Sequence, residues 1–323
     1  MKIKDLVKPM AIFKIVSAPL FIPPYLLLLW VFATKQEFRN FLAYKIILSI
    51  GVMDCLFLLQ NLYAGIFTLI YSKQTVICLL YKQDYLRYPE GLDCSSVKIG
   101  EVMSCMRSGY LQAAPFLSFL LALNRLHIML NVRGEAAFDV LCKAGLVVGW
   151  FISFPLMLIL QYFVNTRDDA NEIRDIVFDM HLNGYTYDGP PIFGQLMGYF
   201  GPAMESGVLA LTLAVVGVII IQKRMYGASY RISPMEIRLI VQGFLITVPL
   251  SIVNICGLNF AVELNSVVSF HILWHCLAAL MPAINLLVYV IFNPAARVHV
   301  MRILCRGSST SKVVRIGTVT ERL

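Results

Sequence analysis

Long apolar runs separated by short polar segments dominate this chain. Seven stand out: Ile15–Ala33, Phe41–Tyr71, Ile99–Leu126, Ala144–Val164, Leu196–Gln222, Leu239–Val262 and Val267–Phe292. Each is near or above the ~20 residues an α-helix needs to cross a bilayer. None shows the period-two alternation of an outer-membrane strand. The pattern predicts an all-α fold, a seven-transmembrane helix bundle. The second run is long enough to end outside the hydrocarbon. Only Glu263–Ser266 separates the sixth from the seventh, which forces an antiparallel pair.

Polar punctuation sharpens the ends. Ser233-Pro234-Met235-Glu236 has serine at N-cap, proline at N1 and glutamate at N3, a capping box that starts the sixth helix in water. Asn293-Pro294 starts a further helix after the seventh. There Val298, Met301 and Cys305 share one face while Arg302 and Arg306 look elsewhere. Residues 293–306 are therefore expected to form a short amphipathic helix on the membrane surface. Residues 1–14 read as a short outer N-terminus, 15–292 as the bundle, and 307–323 as a polar, disordered inner tail.

Charge sets the orientation. With the N-terminus outside, the inner segments hold Lys35, Arg39, Arg133, Lys143, Lys223, Arg224, Arg231 and Arg238, and the tail adds Arg297, Arg302, Arg306, Lys312, Arg315 and Arg322. The outer segment Asn165–Phe193 instead carries Asp168, Asp169, Glu172, Asp175, Asp179 and Asp188. The positive-inside rule then gives N-out, C-in, against the pull of Lys2, Lys4, Lys8 and Lys14 before the first span.

Composition excludes several classes. Hydrophobic residues make up 59% of 323 residues, charged ones 14%, and mean hydropathy is +0.74. A soluble domain carries roughly 25% charge. The net charge of +8 lies between apolar runs, as membrane topology demands, so no nucleic-acid partner is expected. The eight cysteines lack paired metal-ligand spacing, and Cys55, Cys142, Cys256 and Cys276 fall inside apolar runs. No metal-ligand motif or nucleophile–base pair is apparent, so neither an enzyme nor a cofactor is expected. There is no cleavable signal pattern and no glycosylation sequon.

Ionisable residues within spans are functional candidates, because each must be paired or hydrated. Asp54 lies ~20 Å into the second helix and needs a partner, which Asn285 or Tyr289 on the seventh could supply. Arg107 and Glu205 each sit ~25 Å above the inner boundary, counted from Arg125 and Gln222. They form either an internal salt bridge or the walls of a ligand cavity. Glu101, His271, Trp274 and His275 reach the same mouth; for the histidines, a satisfied interfacial position is the commoner outcome. Pro202, Pro249 and Pro282 interrupt three neighbouring helices, leaving weak points about which their halves swing. Cys78 and Cys94 face the oxidising side and can close a local disulfide, with Cys105 as a rival partner. Cys305, beside the membrane, is either a palmitoylation site or a plain free thiol.

Asp54 in Leu48-Ser49-Ile50-Gly51-Val52-Met53-Asp54, Arg125 in Leu121-Ala122-Leu123-Asn124-Arg125, Trp150, Pro202, Pro249 and Asn285-Leu286-Leu287-Val288-Tyr289 resemble the rhodopsin-like G-protein-coupled receptors. Tyr44-Lys45-Ile46 leading to Met53-Asp54-Cys55 is similar to nematode serpentine chemoreceptors of the class T, X and XA kind. The resemblance implies a chemosensory receptor in the plasma membrane of a sensory neuron, with a heterotrimeric G protein as inner partner and lipids around it. Arg125 would face the G protein, Asp54 and Asn285 would form a buried hub, and Tyr289 would swing on activation. Helix six would move at Pro249. Arg107 falls where many such receptors anchor a ligand, and its charge points to an acidic small molecule if Glu205 does not neutralise it. The chain departs from the pattern at Asn124, which replaces an acid, and at Leu286, which replaces a proline. Asn165–Phe193 has no cysteine, so the usual bridge from helix three to that loop cannot form. The rival expectation is a transporter or ligand-gated channel using Asp54, Arg107 and Glu205, against which the chain shows no internal repeat.

Overall fold

A computed structural model describes residues 4–71, 94–130, 135–153, 155–156, 159, 176–179, 184–187, 191–226, 241–246, 248, 251 and 268–305. Its helices are α1 (Lys4–Thr34), α2 (Gln36–Arg39), α3 (Leu42–Tyr71), α4 (Cys94–Leu130), α5 (Glu135–Ser153), α6 (Pro191–Tyr226), α7 (Val268–Phe292) and α8 (Pro294–Leu304). Residues 241–246 add a helical segment. Between α5 and α6, β1 (Ile176–Asp179) and β2 (Gly184–Tyr187) pair antiparallel, Ile176 opposite Tyr187 and Asp179 opposite Gly184. The chain is helical as expected, with this one short hairpin in the connection between α5 and α6.

Among the described residues, four helical stretches are long and apolar enough to cross a membrane: Lys8–Thr34, Leu42–Ile70, Gly109–Leu130 and Tyr199–Met225. A fifth arises if α7 and α8, bent by 96° at their junction, are taken as one broken span. The distribution of polarity agrees. Lys14, Asp54, Gln60, Asn61, Glu205 and Asn285 are buried, whereas Trp30, Ile70, Val147, Leu213 and Ile291 are each more than half exposed. Polar groups inside and large apolar side chains outside suit hydrocarbon as solvent, since in water such a surface would be an aggregation liability.

Small residues set the helix spacing. A Cβ on Gly51 would lie 2.5 Å from Leu29 and 2.9 Å from Tyr25; one on Gly65 would lie 2.7 Å from the Ala11 carbonyl. α1 and α3 therefore run antiparallel in close contact along most of their length. Gly145 and Gly149 likewise let α5 approach Leu120 and Leu117 of α4. Between α1 and α3, Phe38 of α2 is buried against Phe32 and Tyr44, ring centroids 5.2 and 4.8 Å away, and fixes the α1–α3 connection.

α8 starts as expected. The Asn293 side chain accepts from the Ala296 N–H at 3.1 Å with Pro294 in the first turn, and its amide donates to the Tyr44 hydroxyl at 3.1 Å. Ala296 and Val300 face the core, while Val298, Met301 and Leu304 are exposed.

Two boundaries differ from expectation. α1 begins at Lys4, so the stretch read as an outer N-terminus is largely its first three turns. Burial explains this: Met10, Ala11 and Lys14 are 6%, 0% and 5% exposed, because the C-terminal half of α3 packs against this stretch. The sixth predicted helix is described only at 241–246, 248 and 251, and its Ser233–Glu236 cap lies outside the described residues.

Candidate functional site

Four helices converge on Asp54, which is fully buried in α3. Asn285 of α7 donates its amide to Oδ2 at 2.9 Å. Tyr110 of α4 donates its hydroxyl to Oδ1 at 2.8 Å, and Tyr25 of α1 donates to Oδ2 in a short hydrogen bond. Three donors thus satisfy a carboxylate that would be prohibitively costly alone in an apolar core. Tyr110 is itself held by stacking on Phe57, centroids 4.2 Å apart with rings 15° from parallel.

The pairing of Asp54 with Asn285 matches one of the two partners expected from sequence. Tyr289 does not join it; its hydroxyl, buried in a residue 1% exposed, has no hydrogen-bond partner among the described residues. Tyr25 and Tyr110 were missed. Depth arithmetic could have found them. Tyr110 lies fifteen residues above Arg125, or ~22 Å, the same level as Asp54. Tyr25 starts ~13 Å above the end of α1, and a helical side chain leans toward the N-terminus, here outward and toward Asp54.

Arg125 lies fifteen residues, or ~22 Å, further along α4 than Tyr110, near the C-terminal end of that helix. It borders a cavity of about 20 Å³ lined by Ile50, Ser118, Ala122, Thr212, Ile246 and Tyr289, among others. Gly243 of the helical segment 241–246 lies directly on Nη1 of Arg125, in a space that any Cβ would fill. Nη2 is buried with no hydrogen-bond partner among the described residues. The neighbouring Asn124 is buried and uncharged. Beside this site the Gln222 amide of α6 donates to the Met129 carbonyl at 3.2 Å.

That last contact changes the depth of Glu205. α4 and α6 run parallel, with Gly201 against the Leu111 carbonyl, Gly207 against Phe119 and Gln222 against Met129. Glu205 is therefore level with residues 112–117, about 8–15 Å further along the helices than Arg107 at 1.5 Å per residue. The matched depth expected from sequence assumed that Gln222 and Arg125 share a level, and they do not. Glu205 is 1% exposed and within electrostatic reach of Tyr110. Arg107 is half-buried and within electrostatic reach of Lys14, a residue buried in α1 that the sequence reading had left in a polar lead.

Trp150 of α5 donates its indole N–H to Ser49 at 3.2 Å, tying α5 to α3 below Asp54. Cys305 is exposed at the end of α8. The backbones of Cys94, Glu101, His271, Trp274 and His275 lie on α4 and α7, but their side chains, with Cys78 and Pro249, lie outside the described residues. Among the described residues no cluster of His, Cys, Asp or Glu could hold a metal ion.

The class of protein these observations define is a predominantly helical one with long apolar helices of membrane type, carrying a buried polar hub and, further along α4, an arginine whose Nη2 is buried. No family model and no curated protein matches the chain.

Proposed function

We propose that the chain is a seven-span receptor resembling the rhodopsin-like superfamily, which binds a small acidic ligand in its outer half and signals to a G protein at its inner face. The observation that carries this reading is the vertical stacking of the two sites. One carboxylate ties α1, α3, α4 and α7 together, and directly below it Tyr289 of α7 and Arg125 of α4 share a cavity with the segment 241–246. A ligand that alters how these helices meet above changes what the inner face presents below. It does so only by binding one arrangement more tightly than the other.

Arg107 is the ligand anchor in this reading, with Lys14 as a second cation near it. Glu101, His271 and Trp274 complete the mouth, Pro249 is the point where helix six bends, and a Cys78–Cys94 bridge closes the rim. Glu205 lies deeper and acts on the hub side of the pocket. The seventh-helix hub argues against the transporter alternative, because three donors already occupy Asp54 and leave it poorly suited to pass an ion along.

The test is a screen of small carboxylic acids in cells with a G-protein readout. Arg107→Ala is expected to raise the half-maximal concentration of an active acid at least tenfold with surface expression intact. Arg125→Ala is expected to abolish the signal while leaving binding of the same acid in place. Unchanged sensitivity in Arg107→Ala sinks the anchor assignment. An acid-evoked current in cells without functional G proteins sinks the receptor reading.

A further inference from the structure

We propose that the cavity beside Arg125 is a binding site for a single small monovalent anion, chloride being the cellular species of that size and charge. Arg125 and Tyr289 both line it, and among the described residues the buried Nη2 of Arg125 and the buried hydroxyl of Tyr289 have no hydrogen-bond partner. The other lining residues include Ile50, Leu121, Ala122 and Ile246, which offer no hydrogen-bonding side chain. Ser118 and Thr212 line the cavity too, and the Thr212 hydroxyl proton goes to the Val208 carbonyl at 2.8 Å.

Among the described residues no carboxylate lines the cavity. Asn124, beside Arg125, is neutral, and Asp54 is committed to Tyr25, Tyr110 and Asn285. A buried guanidinium left without a counter-charge is strongly destabilising. Gly243 packs on the other guanidinium nitrogen, so the segment 241–246 covers the charge on that side.

The size of the cavity, about 20 Å³, admits one particle, since a water needs roughly 10–15 Å³ by the same measure. The choice between water and an anion follows from donor balance. A water that accepts from Arg125 and Tyr289 can turn its protons only toward the Ser118 and Thr212 hydroxyl oxygens, and it leaves the guanidinium charge without a counter-charge. An anion accepts from both donors, has no protons to place, and neutralises the guanidinium.

The experiment uses the purified full chain in lipid nanodiscs, with chloride as the probe and gluconate, too large for the cavity, as the reference anion. Chloride is expected to raise the melting temperature by a few degrees over gluconate, and chlorine NMR is expected to show line broadening that bromide competes away. Arg125→Gln should abolish both effects. Tyr289→Phe keeps the ring and removes one donor, so it should weaken chloride binding several-fold, and it carries the test if Arg125→Gln does not fold. Equal melting in the two anions overturns the proposal, as does a chloride effect of the same size in both variants, which would mark water in the cavity and salt acting elsewhere. Neither readout involves signalling, so the anion site and the receptor reading stand or fall separately.

Discussion

Asp54 accepts hydrogen bonds from two hydroxyls and an amide, and each of those donors comes from a different helix. A hydrogen bond to a charged group is worth about 1.5–3 kcal/mol, more than a neutral one, because it also offsets desolvation. Tyr110→Phe removes the hydroxyl and leaves the ring stacked on Phe57, so the loss should fall in that range, about 1.5–3 kcal/mol. Tyr25→Phe should behave alike, and the double variant should lose less or more than the sum, since the two hydroxyls share one carboxylate. Thermal unfolding of the three variants in detergent measures this; a Tyr110→Phe protein as stable as the parent would mean the hydroxyl contributes nothing. At this scale the sequence was half informative. The intramembrane acid announced that it needed partners, and Asn285 was identifiable from the resemblance. The tyrosines were hidden because an aromatic residue in an apolar run reads as packing, and only a comparison of depths between helices reveals its polar end.

Helices α1 and α3 meet through glycines, which allows a consequence to be drawn from a pair of substitutions. A Cβ at Gly65 would lie 2.7 Å from a backbone oxygen of α1, an atom that moves only if the whole helix does. Gly65→Ala should therefore destabilise the protein by about 1–3 kcal/mol, the usual cost of overpacking. Gly217 of α6 has no atom within 4 Å of the same position, and Gly217→Ala should be neutral or stabilise slightly through helix propensity, by up to about 1 kcal/mol. Equal melting shifts in the two variants would contradict the packing argument. The helices themselves were legible because apolar runs of this length have one solution in a bilayer. Their ends were not, since Lys14 is a charge that the fold buries rather than a residue that stops the helix. The β1–β2 hairpin was missed although Asn183-Gly184 lies between Ile176-Val177-Phe178 and Tyr185-Thr186-Tyr187, a turn signal between strand-forming residues.

For the molecule as a whole the open physical question is which end faces the cytoplasm, and burial of Lys14 bears on it. The basic inner segments and tail favour an inner C-terminus, while the lysines before the first span oppose it. A lysine buried within the bundle is not a charge held on one side of the membrane, so Lys14 leaves the opposing set, and Lys2, Lys4 and Lys8 remain. On the other side, α6 ends with exposed Lys223 and Arg224, and α8 exposes Arg297 and Arg302 beside Val298, Met301 and Leu304. Basic residues flanking an exposed apolar face suit the anionic inner leaflet, where each contributes about 1 kcal/mol of attraction. On this balance we propose N-out, C-in. An epitope placed before Met1 should bind antibody on intact cells, and one placed after Leu323 should bind only after permeabilisation, in the large majority of molecules. The reverse staining would invert the orientation. It would also put Arg125 at the outer face, and with it overturn the assignment of a G-protein surface there.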